Sequence, residues 1–535
     1  MTLPVRDPET IETRMADGAR LVADVWRPAG PGRHPVLLMR QPYGRRIAST
    51  VVLAHPAWYA AQGFVVMVQD VRGRGDSEGR FRILADDVQD GAATLAAAAD
   101  LSGGDGRVAT YGFSYQGMTQ FMGLAGALAA GTVKPAAMAV AMAPWNVRDH
   151  WAFRGGAFQL HGNQLWAVQM AAENARIAGD AAAYHAFRSA ASRLCSGPVP
   201  ARLDVFDAHP HLTHYLDWLA DDPAYWSSAS PHAVLAGRRL DVPSLHVGGW
   251  LDVMIDGTFA AYDAFAAGGA ETRLTVGPWA HIPWGRHVGA LDCGEEAGAG
   301  GDAAFAGFLR HVLHGDDLLE APVRLFDLGR RCFAGFGSLP RGRRTTLHLA
   351  STGRAAPTVT DGRLTPEAVT SGVDRLVHDP WRPAPSGGAG YHDRSAIDDR
   401  GDVAVYTSEP LTAETVLCGA AVAEIVVEAD RPSFDLHATL SVLLPDGPAL
   451  VIASGTRRCF AGEETAPAPV QLHPTMMTLP VGSRVRLSLA AAAYPAFMVN
   501  PGTGRRPEYA ALSDCLVTTL AIGHDGSRLV LTLLD

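Results

Sequence analysis

The chain has 535 residues, of which 47% are hydrophobic and 19% are charged, and its formal net charge is -10. This length allows about three or four domains of ordinary size, and the composition is that of a globular protein rather than a disordered chain. The negative charge argues against a nucleic-acid partner, because proteins bind phosphate backbones with an excess of lysine and arginine.

The first third of the chain predicts a mostly parallel sheet covered by helices on both faces. Short apolar runs bounded by turn residues alternate with stretches that are compatible with helices, which is typical of an α/β fold. The predicted strands are 21–26, 35–39, 64–69, 108–111 and 136–141, and the predicted helices are 54–62, 86–99 and 116–130.

The pattern changes twice after this first part. Residues 145–240 contain helical segments without a convincing strand, and strands resume at 242–247 and 274–276, which predicts a helical cap inserted into one α/β domain. From about residue 344, short β-branched runs follow one another without helices, which predicts a β-sandwich of the jelly-roll kind. The predicted units are 1–144 and 241–343 for the α/β domain, 145–240 for the cap and 344–535 for the sandwich.

Cysteine spacing and the amino terminus predict a cytoplasmic protein without a metal. Six cysteines are scattered without a close pair, and the first twelve residues lack the pattern of a secretory signal. His209, His211 and His214 have no acidic or cysteine partner at ligand spacing, so no metal site or cofactor is expected. Residues 108–133 carry no charge, but their glycines and polar side chains favour a buried strand and helix over a membrane span. Homo-oligomerisation remains open.

The segment 108–118 has the residue order of a nucleophile elbow. A strand runs into small residues, then Ser114, and then a helix, an order that lifts the serine oxygen above the sheet and points the positive helix end towards it. The strict pattern requires glycine two positions after the serine, where this chain has Gln116 and then Gly117. By this pattern alone, a glycine-rich turn explains the segment as well as an elbow does.

Two further residues complete a candidate catalytic triad. A serine hydroxyl needs a base to remove its proton and an acid to orient that base, and in α/β-hydrolases the acid precedes the histidine along the chain. Asp252 and His281 each follow a predicted strand, in that order after Ser114. Either residue alone is more typical of a loop ion pair or a packed histidine, but their joint placement favours a triad.

These segments resemble the serine hydrolases of the cocaine esterase and X-Pro dipeptidyl-peptidase family, which also includes α-amino-acid ester hydrolases and glutaryl acylases. The family's elbow is glycine, any residue, serine, tyrosine, any residue, glycine, and residues 112–117 match it. Similar segments extend over nearly the whole chain, at 17–28, 40–43, 69–79, 249–252, 277–281, 377–380 and 408–411.

The resemblance implies an α/β-hydrolase sheet with a helical cap and a C-terminal jelly roll, and it implies residue roles. Ser114 would attack the substrate carbonyl, His281 would move the proton, and Asp252 would hold the imidazole. The hydroxyl of Tyr43 and the backbone N–H of Tyr115 would bind the oxyanion, although the sequence without the family would leave Tyr43 as loop packing. The tripeptide 74–76 lies in a family loop and is interpreted as structural.

The resemblance also bears on the substrate. Trp145, Trp151, Phe158 and Trp166 are candidates for an apolar acyl pocket, with packing inside the cap as the alternative. In the amino-ester branch of the family, acidic residues directly follow the catalytic aspartate, whereas here Val253 and Met254 follow it, and an aspartate at 256 lies one helical turn on.

We therefore expect hydrolysis of small-molecule carboxylic esters with small or aromatic, neutral acyl groups. The alternatives within the family are amide hydrolysis, acyl transfer and Xaa-Pro or aminoacyl peptidase activity. A binding protein with a vestigial hydrolase is less favoured, because all four catalytic side chains are present.

Overall fold

A computed structural model describes residues 2–47, 52–197, 199–298, 301–445, 447–460 and 467–534. The strands of its first part are β1 (Glu9–Arg14), β2 (Arg20–Trp26), β3 (His34–Gln41), β4 (Val65–Asp70), β5 (Gly104–Phe113), β6 (Ala137–Ala141), β7 (Phe153–Arg154), β8 (Ala157–Phe158), β9 (Ser244–Leu251), β10 (Thr272–Ala280), β11 (His287–Val288), β12 (Leu291–Asp292), β13 (Val323–Asp327) and β14 (Cys332–Phe336). The helices are α1 (Pro56–Ala61), α2 (Asp87–Ala99), α3 (Tyr115–Ala130), α4 (Leu160–Ile177), α5 (Ala181–Ser196), α6 (Asp204–Ala208), α7 (Tyr215–Ala220), α8 (Pro223–Ala229), α9 (Pro231–Val234), α10 (Ile255–Ala266) and α11 (Gly301–His314).

Within the described residues, ten of these strands form one mixed sheet in the order β1-β2-β4-β3-β5-β6-β9-β10-β13-β14. The strands from β4 to β13 in this order are parallel to their neighbours, and the pairs at both edges are antiparallel. The carboxyl ends of β5, β9 and β10 therefore meet at one edge of the sheet, which is where α/β folds bind ligands.

The central strands are apolar because both faces of the sheet are covered. Along β3, Leu38 shares a core with Leu95 of α2, whereas the adjacent Leu37 shares a different core with Phe305 of α11. Successive side chains point to opposite faces of a strand, so a strand covered on both sides needs a continuous apolar run. Strand β1 was not predicted, because it lies at the edge and most of its side chains are exposed polar residues.

The cap, residues 145–240, contains α4 to α9 and the short pair β7 and β8. A π-helical turn, Arg148–Ala152, precedes β7. Asp180 accepts a hydrogen bond from the amide of Ala183 at the start of α5, which satisfies an amide that lacks an acceptor within the helix. Helices make up most of this segment, and the short pair β7 and β8 is the part that the sequence did not predict.

The β-domain, residues 343–534, contains α12 (Ser395–Asp398) and strands that form an all-β unit. These strands are β15 (Arg343–Ala350), β16 (Gly362–Thr365), β17 (Val373–His378), β18 (Val403–Ser408), β19 (Thr415–Gly419), β20 (Val422–Ala429), β21 (Ser433–Leu443), β22 (Ala449–Phe460), β23 (Ala468–Gln471), β24 (Thr475–Leu479), β25 (Arg484–Ala490) and β26 (Thr518–Leu534). Strand β26 pairs with β15, β17, β19 and β20, so it joins most of the unit. The sheet and the β-domain together confirm the predicted fold class.

Hydrogen bonds join the cap to a loop of the β-domain. The amides of Leu160 and His161 at the start of α4 donate to the carbonyls of Ala496 at 2.7 Å and Pro495 at 3.2 Å. The amide of Val199 donates to the hydroxyl of Tyr494 at 2.6 Å. These bonds tie the amino end of α4 to the β-domain.

The predicted unit boundaries fall close to the ends of elements. The boundaries at 144 and 240 lie in connections, whereas the boundary at 343 lies one residue inside β15. Residues 108–133, the uncharged stretch, form β5 and α3 of the covered sheet. Over the part of the chain described, no helix combines the length and apolar character needed to cross a membrane.

Candidate active site

The serine lies at a strained turn between β5 and α3. Ser114 has φ 58° and ψ -121°, a conformation that non-glycine residues rarely adopt. Its amide donates to the carbonyl of Ala141 on β6 at 2.9 Å, which fixes the turn against the neighbouring strand. A strained strand-to-helix turn exposes the serine oxygen at the edge of the sheet, as a nucleophile elbow requires.

The contacts around this turn explain why glycine stands at 117 and not at 116. A Cβ atom on Gly112 would lie 2.5 Å from the Cβ of Gln116, and one on Gly117 would lie 2.8 Å from the Cβ of Ala143. Both positions therefore exclude a side chain. At position 116 a side chain stabilises the turn, since Oε1 of Gln116 accepts a hydrogen bond from the amide of Phe113 at 3.1 Å.

The three residues of the predicted triad meet around one imidazole ring. The Nδ1 atom of His281 lies 2.7 Å from Oδ1 of Asp252, and its Nε2 atom lies 3.1 Å from Oγ of Ser114. The Asp252 side chain is fully buried, whereas that of His281 is 27% exposed. The carboxylate and the serine thus contact opposite nitrogen atoms of the ring, which is the arrangement for passing a proton from the serine to the histidine.

Neighbouring parallel strands bring the acid and the base together. Asp252 follows β9 and His281 follows β10, and these two strands pair in register along most of their length. The ring of Phe113 lies 4.6 Å from the His281 ring, between centroids, and Nε1 of Trp284 donates to the His281 carbonyl at 3.1 Å. These contacts hold the imidazole beside the elbow.

Tyr43 lies over the serine in the loop that follows β3. Its hydroxyl accepts a hydrogen bond from Nε1 of Trp166 at 3.3 Å and also interacts with the hydroxyl of Ser114. Burial raises the pKa of Tyr43 above its ordinary value, and the neighbouring donors and the charge of Arg74 moderate this rise. The phenol therefore stays protonated near neutral pH and can donate a hydrogen bond to an oxyanion.

The loop of Tyr43 is fixed by a buried carboxylate. The amide of Tyr43 donates to Oε1 of Gln41 at 2.8 Å, and the side-chain amide of Gln41 donates to Asp70 at 3.2 Å. Arg45 donates to the same carboxylate from its amide at 2.6 Å and from its guanidinium at 2.8 Å. Burial raises the pKa of Asp70, and hydrogen bonds from Arg45 oppose this rise.

The second predicted oxyanion donor is the amide of Tyr115, the first residue of α3. Amides in the first turn of a helix have no acceptor within the helix, so this N–H can serve a ligand. The Tyr115 hydroxyl donates to Asp87 at 2.9 Å and accepts from the amide of Leu84 at 3.1 Å. These bonds fix the residue that follows the serine.

Two of the four predicted pocket residues lie in an aromatic cluster beside Tyr43. The Trp151 ring meets the Trp166 ring edge to face, with 5.3 Å between centroids, and Trp218 stacks on Trp166 at 5.5 Å. Trp218 was not among the pocket residues predicted from the sequence. The sequence gives no signal for this contact, because it depends on how the cap helices pack.

The other two predicted pocket residues pack inside the protein. The Trp145 ring contacts Phe121 of α3 at 5.3 Å and Phe265 of α10 at 6.3 Å between centroids. Phe158 is fully buried, and its ring contacts Tyr215 within the cap at 5.8 Å. The packing alternative therefore describes these two rings better than the pocket does, because aromatic content alone does not tell which face a ring occupies.

Asp256 forms an ion pair with an arginine of the cap. Its Oδ2 atom lies 2.7 Å from Nη2 of Arg154 in the cap, and the arginine side chain is only 14% exposed. Asp256 also lines a mainly apolar cavity of about 270 Å³ with Trp250, Phe259 and residues of the β-domain. This carboxylate is thus neutralised by the protein itself. No group of three or more His, Cys, Asp or Glu residues in the described ranges is arranged to hold a metal ion.

Comparisons with protein families match both parts of the chain. Residues 17–283 match the model of the X-Pro dipeptidyl-peptidase (S15 family), and residues 320–529 match the model of the X-Pro dipeptidyl-peptidase C-terminal non-catalytic domain. The first match contains the elbow, Asp252 and His281, and the second lies mostly in the β-domain.

One curated relative is the cocaine esterase of Rhodococcus sp. (strain MB1 Bresler), which is 29% identical over 533 residues that cover 92% of this chain and 91% of the esterase. Two solved structures share the fold. An aminopeptidase from a marine sediment archaeon, Thaumarchaeota archaeon, has a TM-score of 0.82 at 19% identity over 99% of this chain and 97% of its own. An α-amino acid ester hydrolase has a TM-score of 0.76 at 19% identity over 98% and 96%.

Proposed function

Because the chain belongs to the X-Pro dipeptidyl-peptidase (S15) family and is a serine hydrolase, we propose that it hydrolyses carboxylic esters with neutral acyl groups through Ser114. The observation that supports this most strongly is the placement of Ser114 and Asp252 on opposite nitrogen atoms of His281. The proposed oxyanion donors are the hydroxyl of Tyr43 and the backbone N–H of Tyr115.

In the first half of the reaction, Oγ of Ser114 attacks the ester carbonyl while Nε2 of His281 takes the hydroxyl proton. Asp252 keeps Nδ1 of His281 protonated and stabilises the imidazolium that forms. The carbonyl oxygen becomes an oxyanion and accepts hydrogen bonds from Tyr43 and Tyr115. The imidazolium then gives its proton to the leaving alcohol, and an acyl-enzyme remains on Ser114.

In the second half, water replaces the alcohol. His281 takes a proton from the water as its oxygen attacks the acyl carbonyl, and the same donors bind the second oxyanion. The imidazolium returns its proton to Oγ of Ser114 when the acyl bond breaks, which releases the carboxylic acid. Completion of both halves returns the triad to its starting state.

The acyl group is proposed to lie against Trp151, Trp166 and Trp218. These rings form one cluster that reaches the Tyr43 hydroxyl through Nε1 of Trp166. Flat apolar walls favour small or aromatic acyl groups, which bury their surface there without leaving a polar group unpaired.

Among the described residues, the site lacks an unpaired carboxylate just after Asp252 that could bind a charged ammonium on the acyl group. The residues after Asp252 are Val253, which is 41% exposed, and Met254, which is buried. Asp256 is paired with Arg154 at 2.7 Å, so its negative charge is already balanced and attracts a substrate ammonium less strongly than an unpaired carboxylate would. These contacts favour a neutral acyl group.

A substrate panel tests the proposal. The purified protein is given p-nitrophenyl acetate, butyrate and benzoate beside the matching p-nitroanilides and p-nitrophenyl esters of alanine and phenylalanine. We expect neutral esters to have the highest kcat/KM and anilides to be at least about a hundredfold slower. Faster turnover of anilides or of aminoacyl esters would contradict the proposed substrate class.

Labelling with a fluorophosphonate tests the nucleophile independently of the substrate. Mass spectrometry of the labelled protein is expected to find the adduct on Ser114, and the Ser114→Ala variant serves as the control. A folded protein without an adduct at Ser114 would favour a binding protein with an inactive site.

A further inference from the structure

Arg74 is a buried arginine that joins the Tyr43 loop to the cap. Its side chain is 1% exposed, and its Nε donates to the carbonyl of Pro42, the residue before Tyr43, at 2.6 Å. Its Nη1 donates to the carbonyl of Met170 at 3.3 Å and to Oδ1 of Asn174 at 2.7 Å, both on α4. One side chain therefore holds the loop of the proposed oxyanion donor against the helix that carries Trp166.

The charge of Arg74 is not neutralised by a carboxylate in direct contact. The hydrogen bonds recorded for its guanidinium within the described ranges all go to neutral oxygen or sulfur atoms. Glu173 acts on it at longer range, but Glu173 is itself paired with Arg176 at 2.7 Å. Burial lowers the pKa of Arg74 to about 10, which leaves the guanidinium charged at neutral pH.

A buried charge without a carboxylate partner is costly to the fold, and an opposite charge that forms nearby would stabilise it. The field of Arg74 already acts on the hydroxyl of Tyr43, since it lowers the pKa of that phenol against the effect of burial. The opposite charge that forms nearby during the proposed reaction is the oxyanion that Tyr43 binds.

We propose that Arg74 is a positioning residue for the oxyanion, which acts through Tyr43 by fixing its loop and by making its phenol a stronger donor. This inference rests on the proposed function. It assigns a role in turnover to a residue that the sequence suggested was only structural, and it explains why the charge is kept inside the protein.

Substitution of Arg74 separates its charge from its packing. Arg74→Met keeps the length and apolar contacts of the stem, and we expect kcat for p-nitrophenyl butyrate to fall about 30-fold while KM changes less than about threefold. Phenylboronic acid, which forms a negatively charged tetrahedral adduct with the serine, is expected to bind about 30-fold more weakly. In a Tyr43→Phe background the same substitution is expected to cost less than about threefold.

Arg74→Lys gives a readout that a purely structural role would not produce. A buried lysine loses its proton at a lower pH than arginine. Turnover should therefore approach the wild-type value at low pH and fall to the Arg74→Met value as the pH rises, with an alkaline limb below that of the wild type. This variant also decides the question if Arg74→Met does not fold.

Arg72→Met is the matched control. Arg72 lies in the same loop, but its guanidinium is paired with Asp17 and Asp90, each at 2.7 Å. We expect it to lower stability and leave kcat within about threefold.

The role of Arg74 is rejected if Arg74→Met keeps the wild-type kcat, if its cost is the same with and without the Tyr43 hydroxyl, or if Arg74→Lys matches Arg74→Met at every pH. Fluorophosphonate labelling and ester turnover of the wild type are unaffected by these outcomes, so the proposed function is judged separately.

Discussion

Among the described residues, serine, histidine and aspartate meet both at the edge of the α/β sheet and inside the β-domain. At the sheet edge, Asp252 and Ser114 contact different nitrogen atoms of His281. In the β-domain, Oδ2 of Asp374 and Oγ of Ser351 both lie beside Nε2 of one histidine, at 2.7 Å and 3.2 Å. The second histidine is His524, whose Nδ1 atom is buried without a hydrogen-bond partner among the described residues.

The difference shows that proximity of the three side chains does not make a triad. Ser351 donates its proton directly to Asp374 at 2.7 Å, so the histidine has no serine proton to take. Asp374 also accepts from the hydroxyl of Tyr406 and the amide of Ala355, both at 2.8 Å. This carboxylate is a structural acceptor inside the β-domain, whereas Asp252 orients an imidazole that faces a reactive serine.

The largest effect is expected from removing the serine at the sheet edge. Ser114→Ala should lower kcat/KM for p-nitrophenyl esters at least about 10⁴-fold, because the acyl-enzyme can no longer form. Stopped-flow or steady-state assays of the folded variant check this. A variant with more than a few per cent of wild-type turnover would remove Ser114 from the mechanism.

Tyr43→Phe should lower kcat about a hundredfold, the usual cost of one oxyanion donor. Tyr59→Phe is the matched control, because Tyr59 is a buried tyrosine of the same domain whose hydroxyl donates to Asp302 at 2.6 Å. The control should lose stability and keep its kcat. Wild-type turnover in Tyr43→Phe would show that the oxyanion is bound by other groups.

Asp374→Asn should lower the free energy of unfolding of the β-domain by about 2 kcal/mol at pH 7, with kcat per folded molecule unchanged. Burial opposes ionisation of Asp374, but hydrogen bonds from His524, Ala355, Ser351 and Tyr406 outweigh it and lower its pKa below the ordinary value. The stabilisation is thus present above the ordinary carboxyl pKa and is lost as the pH falls towards the lowered pKa.

Urea unfolding at several pH values between about 3 and 7 measures this effect. The difference between wild type and Asp374→Asn should shrink below about pH 4. A difference that stays constant over this range, or a loss of kcat, would contradict a purely structural carboxylate.

The smallest effect is expected for Ser351→Ala. One hydrogen bond to Asp374 is lost, which should cost about 1 kcal/mol, and turnover should stay within about twofold. Fluorophosphonate labelling of the wild-type protein should give no adduct at Ser351. An adduct at Ser351 would show that the serine of the β-domain is reactive like Ser114.

The two groupings also differ in how far sequence could predict them. Ser114, Asp252 and His281 each follow a strand of one sheet, so their order along the chain implied that they meet. Ser351 follows β15 and Asp374 lies on β17, and both reach His524 only because β15 and β17 pair with β26, which no motif specifies. Sequence can therefore predict contacts between residues at the ends of strands in the α/β sheet, but it does not predict contacts that depend on strand pairing in the β-domain.

Packing limited the rest of the prediction. The sequence grouped the cap aromatics as one candidate pocket, but helix orientation places Trp166 at Tyr43 and the ring of Trp145 against α3 and α10. The tripeptide 74–76 was interpreted as structural from its place in a family loop. The contacts of Arg74 with α4 could not be read from the sequence, because they arise only when the cap folds over the loop. The elbow is the contrasting case, since contacts local to 112–117 explain its glycines.

The cap cannot be exchanged between relatives independently of the β-domain. The helix that carries Trp166 begins on carbonyls of Pro495 and Ala496, which belong to a loop near the other end of the chain. A cap grafted from another family member would bring a new pocket wall, but the loop of Pro495 and Ala496 that contacts the start of α4 would still come from this chain. Residues 145–240 and 494–498 should therefore be inherited, and engineered, as a single block.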